Sequence, residues 1–141
     1  MSIFDFEAWP KRAMFQRLLA QRTPLVLLGV PGAPWGEIVQ ATGLVPLTPA
    51  YSAPRRELRA LAHATIAENV LVLPYVTSYA PEYLRVFLDI IAARPVEERA
   101  QVIAFSPECP CGRSSARCVC RRVDRLRYTA RIPTRFAVVR I

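Results

Sequence analysis

The sequence is poor in several residue types, and their scarcity limits what the protein can do. It has one lysine among 19 basic residues, one asparagine and one histidine. The histidine, His63, lies in an alanine-rich stretch with no serine, cysteine or carboxylate at a spacing typical of catalysis. No catalytic triad is therefore visible, and we expect His63 to be a packed or surface side chain.

Long apolar runs are also missing. The longest mainly apolar stretches, 24–34 and 86–93, the second interrupted by Asp89, are well short of the roughly 20 residues that a bilayer crossing takes. The chain starts with Asp5 and Glu7 ahead of Lys11, unlike the basic and then apolar start of an export signal. We therefore expect no membrane span and a cytoplasmic location.

The remaining composition is that of a folded domain. The 141 residues are 52% apolar and 21% charged, enough to bury one core of ordinary size. Residues 1–141 are therefore expected to form a single domain.

Short apolar runs alternate with stretches of helical spacing along the chain. Four runs are typical of strands buried on both faces, at 25–28, 70–73, 102–105 and 136–139. Apolar residues recur at helical spacing at about 10–22, 54–67 and 81–94. The alternation predicts an α/β fold with a small, mostly parallel sheet and flanking helices, and 42–55 as a loop.

Positive charge is concentrated at the C-terminal end. Residues 1–100 hold ten bases and nine acids, whereas 101–141 hold nine arginines against Glu108 and Asp124. Such a segment attracts a phosphate backbone or an acidic protein face, although ordinary solvated arginines would give the same pattern. The arginines expected to make these contacts are Arg113, Arg117, Arg121, Arg122, Arg125, Arg127 and Arg131.

All four cysteines fall within twelve residues, as Cys109, Cys111, Cys118 and Cys120. Two close pairs joined by a short loop can turn four sulfurs toward one tetrahedral point, as structural zinc requires. The surrounding arginines would favour thiolates and offset the charge of a zinc tetrathiolate. The pairs are C-x-C rather than the C-x-x-C of a zinc ribbon, so a disulfide pair or four free thiols stay open as alternatives.

The motifs of this C-terminal region occur in a specific order. Residues 106–112 read Ser-Pro-Glu-Cys-Pro-Cys-Gly, a Cys-Val-Cys follows at 118–120, and Arg-Tyr and Arg-Phe stand at 127–128 and 135–136. This succession resembles the magnesium-chelatase-like branch of the AAA+ ATPases, in particular the bacterial competence-associated helicase family. The resemblance implies a phosphate-loop core in which 106–135 is a cysteine-rich, basic subregion.

The N-terminal half shows a weaker likeness to the same family. Lys-Arg-Ala at 11–13 is similar to the helix that precedes its phosphate loop, and Gly-Val-Pro-Gly at 29–32 to the loop itself. The segment from this loop to the next predicted strand is shorter than in the family, so we expect a miniaturised core. The degenerate phosphate loop would comprise Gly29, Gly32, Gly36 and Glu37.

The positions that the family uses to hydrolyse ATP are changed. A phosphate loop needs a lysine at the β- and γ-phosphates and a Ser or Thr on magnesium, but Gly36, Glu37 and Ile38 stand where the family has Gly-Lys-Thr. The strand that should end in the acidic Walker B pair ends in Pro-Tyr at 74–75, and Ser106 takes the place of the sensor asparagine. A glutamate repels triphosphate, so we predict no ATP hydrolysis and no catalytic residue.

Arg135 is the one matching residue of the family's active site. By the resemblance it is the arginine finger, which acts on the nucleotide of a neighbouring subunit. An ordinary surface arginine beside the last strand would match equally well.

Three functional hypotheses follow. The first is a non-catalytic regulatory protein, stabilised by structural zinc, that binds nucleic acid or a replication or transcription machine through its C-terminal third; its build suggests a phage or mobile element. The second is an AAA+ ATPase subunit that acts in trans with an intact partner. The third is a subunit that only scaffolds an assembly.

Overall fold

Strands and helices alternate along most of the chain. The computed structural model describes residues 4–29, 33–50, 53–74, 81–107 and 136–141. The helices are α1 (Arg12–Ala20), α2 (Trp35–Ala41), α3 (Arg55–Ala64) and α4 (Pro81–Ala92). The strands are β1 (Leu25–Gly29), β2 (Val45–Leu47), β3 (Asn69–Leu73), β4 (Gln101–Pro107) and β5 (Ala137–Arg140).

The five strands form one sheet in the order β2-β3-β4-β1-β5, and every neighbouring pair is parallel. Strand β1 lies between β4 and β5, and its Leu25 lies opposite Ile103 of β4 and Ala137 of β5. Parallel strands with helices on both faces are buried on both sides and need continuous apolar runs. The predicted α/β class with a parallel sheet and flanking helices is therefore confirmed.

Alternate residues of the strands point to two separate cores. On one face, sheet residues such as Val26, Leu71 and Val102 pack with α3 and α4. On the other face, Leu27, Ile103 and their neighbours pack with α1, α2 and the aromatic side chains of the N-terminal segment. The helix residues buried in these cores are Phe15, Ile38, Val39, Leu58, Ala62, Leu84, Leu88 and Ile91.

The prediction of a loop at 42–55 is wrong in part, because β2 lies within it. This strand has only three residues, and it pairs with β3 alone at the edge of the sheet. Pro46 stands in its middle and lies opposite Val70. A proline is tolerated there because an edge strand has one side without a hydrogen-bonded neighbour.

The longest helix in the described ranges is α4, with 12 residues. A bilayer crossing takes roughly 20, and none of the described helices meets the length and hydropathy of a membrane span.

Candidate functional site

The parallel strands end together along what we call the carboxyl edge of the sheet. The connection after β1 runs toward β2, whereas the one after β4 runs toward β5, in opposite directions across the sheet. In open α/β sheets, ligands bind at such a switch point, outside the strand ends. The candidate site is therefore the end of β1 at Gly29, which lies opposite Pro107 of β4.

Gly29 is closely covered by two side chains. A Cβ atom at this position would lie 2.7 Å from the Cβ of Ala33 and 2.9 Å from Cγ1 of Ile141. Contacts below 3.0 Å would force one of these groups to move, so packing alone requires glycine here. In a working phosphate loop the absence of a side chain lets phosphate approach the backbone, whereas here the contacts with Ala33 and Ile141 already account for the glycine.

The start of α2 is held against β4 by an aromatic stack. The rings of Trp35 and Phe105 lie parallel, with centroids 5.2 Å apart and 7° between their planes. The Nε1 of Trp35 is buried and has no hydrogen-bond partner among the described residues. A bulky, half-buried aromatic side chain thus occupies the beginning of the helix that would follow a phosphate loop.

The first turn of α2 has the wrong charge for a triphosphate. It contains Gly36 and the exposed Glu37, whose carboxylate already provides the negative charge that a helix N-terminus favours. The backbone N–H of Trp35 donates to the carbonyl oxygen of Ala33 at 2.8 Å. Ile38, at the position where the resemblance would place the magnesium-binding hydroxyl, is fully buried in the core.

The end of β3 offers no carboxylate either. Its last residue, Leu73, is fully buried in the core between the sheet and α3 and α4, and the half-buried Pro74 follows. Ser106 lies in β4 opposite Leu28. Gly32 and Tyr75 lie outside the described residues.

The other predicted site residues belong to the C-terminal region. The cysteine cluster, the seven C-terminal arginines and the finger-like Arg135 all fall within 108–135, outside the described residues. Within the described ranges, no group of three or more His, Cys, Asp or Glu side chains could hold a metal ion. The zinc site and the C-terminal binding surface thus stay predictions.

His63 meets its expectation as a surface residue. Its side chain is exposed on α3. Its carbonyl oxygen accepts a hydrogen bond from Nη2 of Arg94 at 2.6 Å, so the backbone at this position helps to join α3 to the segment after α4.

The structure also brings together three arginines that sequence reasoning missed. Arg55, Arg56 and Arg59 are exposed on α3 and are the only described residues that line an open depression of about 440 Å³. We call them the α3 patch. All three fall within the helix predicted at about 54–67, where their spacing signals one helix face.

Comparison of the sequence with protein-family models gives no match, and comparison with curated proteins finds none that is significantly similar.

Proposed function

We propose that this chain is a non-catalytic regulatory protein with a miniaturised AAA+-like core, which binds nucleic acid or a nucleic-acid-processing complex through its arginine-rich C-terminal third. The sheet is compatible with the small parallel core that the likeness implies, in which β1 lies inside the sheet between β4 and β5. The order differs from both common doubly wound arrangements, which begin 3-2-1-4 and 2-1-3-4.

The observation that carries the non-catalytic part is the set of side chains at the switch point. Ala33 and Ile141 cover Gly29, Trp35 stacks on Phe105, and Glu37 stands in the first turn of α2. Phosphoryl transfer requires open backbone N–H groups, a cation on the phosphates and magnesium. These side chains favour a core that supports a binding surface and does not turn over nucleotide.

The cysteine cluster fits a structural zinc by its donor set. Four thiolates are a common ligand set of closed zinc sites, and Cys109, Cys111, Cys118 and Cys120 would be the ligands. Bound zinc would hold this short segment in one conformation, which favours rigid presentation of the arginines around it.

Arginine suits the proposed partner better than lysine does. Its planar guanidinium can donate two parallel hydrogen bonds to one phosphate or carboxylate. The chain has 18 arginines and one lysine, and nine of the arginines lie in residues 101–141. Binding driven by these charges releases counterions and weakens steeply as salt is raised.

A salt titration tests this function. We expect labelled single-stranded and duplex oligonucleotides to bind at low salt, with the logarithm of affinity falling linearly against the logarithm of salt concentration. Changing Arg121, Arg122 and Arg125 to glutamine should reduce the slope on duplex DNA, by about 0.9 for each lost phosphate contact. The exposed Arg17 on α1 provides a control substitution, Arg17→Gln, and binding that does not change with salt would contradict the proposal.

Two further measurements separate the hypotheses. Calorimetric titration with Mg·ATP should give no binding to the isolated chain, whereas saturable binding would favour the ATPase subunit acting in trans. Metal analysis of the purified chain should find about one zinc per chain, lost when the cysteines are changed to serine. A metal-free chain that still binds oligonucleotides would remove zinc from the proposal and leave the arginines.

A further inference from the structure

The α3 patch forms one continuous cationic surface. Successive residues of an α-helix are offset by about 100° around its axis, which places Arg55, Arg59 and Arg56 in that angular order within roughly one quarter of the helix circumference. All three side chains are exposed, and no other described residue lines the depression between them. The buried residues of α3, Leu58 and Ala62, lie on the side that packs against the sheet.

Most other arginines among the described residues already contact another part of the protein. Arg12 pairs with Glu7, and Arg22 donates to the carbonyl oxygen of Ala67 at 3.1 Å. Arg94 and Arg99 donate to backbone carbonyl oxygens. In contrast, no side-chain hydrogen bond or ion pair joins the α3 patch to any described residue, and the exposed Glu57 within the same helix turn is not paired with it.

The position of the patch works against the stability of the helix. Arg55 and Arg56 are the first two residues of α3, where the backbone dipole is positive and favours negative charge. The N-cap, Pro54, offers no side-chain hydrogen bond in compensation. A charge arrangement that opposes the local structure and has no internal partner points to a negatively charged ligand.

The patch lies at the same edge of the sheet as the switch point, three strands away from β1. Helix α3 connects the parallel strands β2 and β3, so its N-terminus lies at the carboxyl edge of the sheet. Pro107, the last residue of β4, is at this edge too. The three arginines therefore lie at the same edge of the sheet as the switch point.

We infer that the α3 patch is a second nucleic-acid-binding surface, which contacts the phosphate backbone without reading the bases. The inference rests on the proposed function for the class of partner but uses none of its residues. A phosphate backbone needs only cationic donors at its surface. An acidic protein would need an apolar centre to bury, and the exposed large apolar residues of the described chain, Met14, Val45, Ile66 and Val96, all lie outside α3.

The test uses the full chain with the patch changed to glutamine, as Arg55→Gln, Arg56→Gln and Arg59→Gln together. On a labelled duplex, the slope of log affinity against log salt should fall by about 2 to 3 for three lost contacts. The affinity at low salt should fall by about tenfold or more. Because the removed charges oppose the helix dipole, the unfolding midpoint in urea should stay the same or rise, which separates lost binding from misfolding.

Matched single variants give the control. Arg59→Gln and Arg17→Gln each remove one exposed arginine, on opposite faces of the sheet, and only Arg59→Gln should reduce the slope. An equal effect of both would show that net charge alone matters and would overturn the inference. Displacement of the duplex by polyglutamate as readily as by heparin at equal charge would likewise overturn it in favour of an acidic protein partner.

The outcomes also distinguish this inference from the proposed function. If changing Arg121, Arg122 and Arg125 reduces the salt slope while the α3 variants do not, the second surface is wrong and the proposed function stands. If only the α3 variants reduce the slope, the second surface holds and the C-terminal surface is wrong. If the wild-type chain binds neither strand form at low salt, both are wrong.

Discussion

The two edges of the sheet use arginine in opposite ways. At the carboxyl edge, the α3 patch lines a depression of about 440 Å³, and no carboxylate belongs to the described residues of its wall. At the other edge, which we call the amino edge because the parallel strands begin there, a cleft of about 460 Å³ is lined by Arg94 together with Glu68, Glu97 and Glu98. In their described linings, these clefts of similar size thus differ in charge, one cationic and one mixed.

The hydrogen bonds differ in the same way. At the amino edge, Arg94 donates to the backbone of His63 and Thr65 at the end of α3. Arg99 donates to the carbonyl oxygens of Ala92, the last residue of α4, and of Arg94, at 3.0 and 2.6 Å. The last carbonyls of a helix lack intrahelical partners and favour cations. At the amino edge, arginine side chains thus bind backbone carbonyl oxygens of the fold. The arginines of the α3 patch have no side-chain partner among the described residues, which is why we propose that they bind a ligand.

The largest effect on stability is expected at the carboxyl edge, from Trp35→Ala. Removing the ring that stacks on Phe105 should lower the free energy of unfolding by about 3 kcal/mol, since Trp35 is only half-buried and full burial would give more. Trp35→Phe should lose about 1 kcal/mol, because it keeps an aromatic ring and removes an Nε1 that is buried without a described partner. Urea denaturation measures both, and equal losses would show that the stack does not hold α2.

The next largest loss of stability is expected when an arginine at the amino edge is removed. Arg94→Ala breaks bonds to His63 and to the backbone and hydroxyl of Thr65, and we expect unfolding free energy to fall by about 2 kcal/mol. Arg59→Ala, which removes the same side chain from the patch, should change it by no more than about 0.5 kcal/mol. Similar values from urea denaturation would remove the distinction between the two edges.

The sequence predicts β1, β3, β4 and β5 as short apolar runs but misses β2. β1, β3 and β4 are apolar on both faces because both faces are covered, whereas β2 has three residues at the sheet edge and a proline. The contact of Trp35 with Phe105 joins residues that lie far apart in the sequence and come together only when the fold is known. Arg55 and Arg94 are the same residue type in helical neighbourhoods, and only their tertiary partners tell them apart.

The smallest expected effect on stability is a gain, from Arg55→Glu, and it tests the contrast between the two edges most directly. Arg55→Glu places an acid in the first turn of α3, where the helix dipole favours it, and should raise the free energy of unfolding by about 0.5 kcal/mol. The same substitution should weaken duplex binding, because it reverses one charge of the α3 patch. Arg17→Glu, on α1, is the control for reversing one charge elsewhere. If Arg55→Glu raises the free energy of unfolding but binds duplex DNA as well as Arg17→Glu does, Arg55 is neither a structural residue nor a ligand contact. The contrast between the two edges would then depend on Arg56 and Arg59 alone.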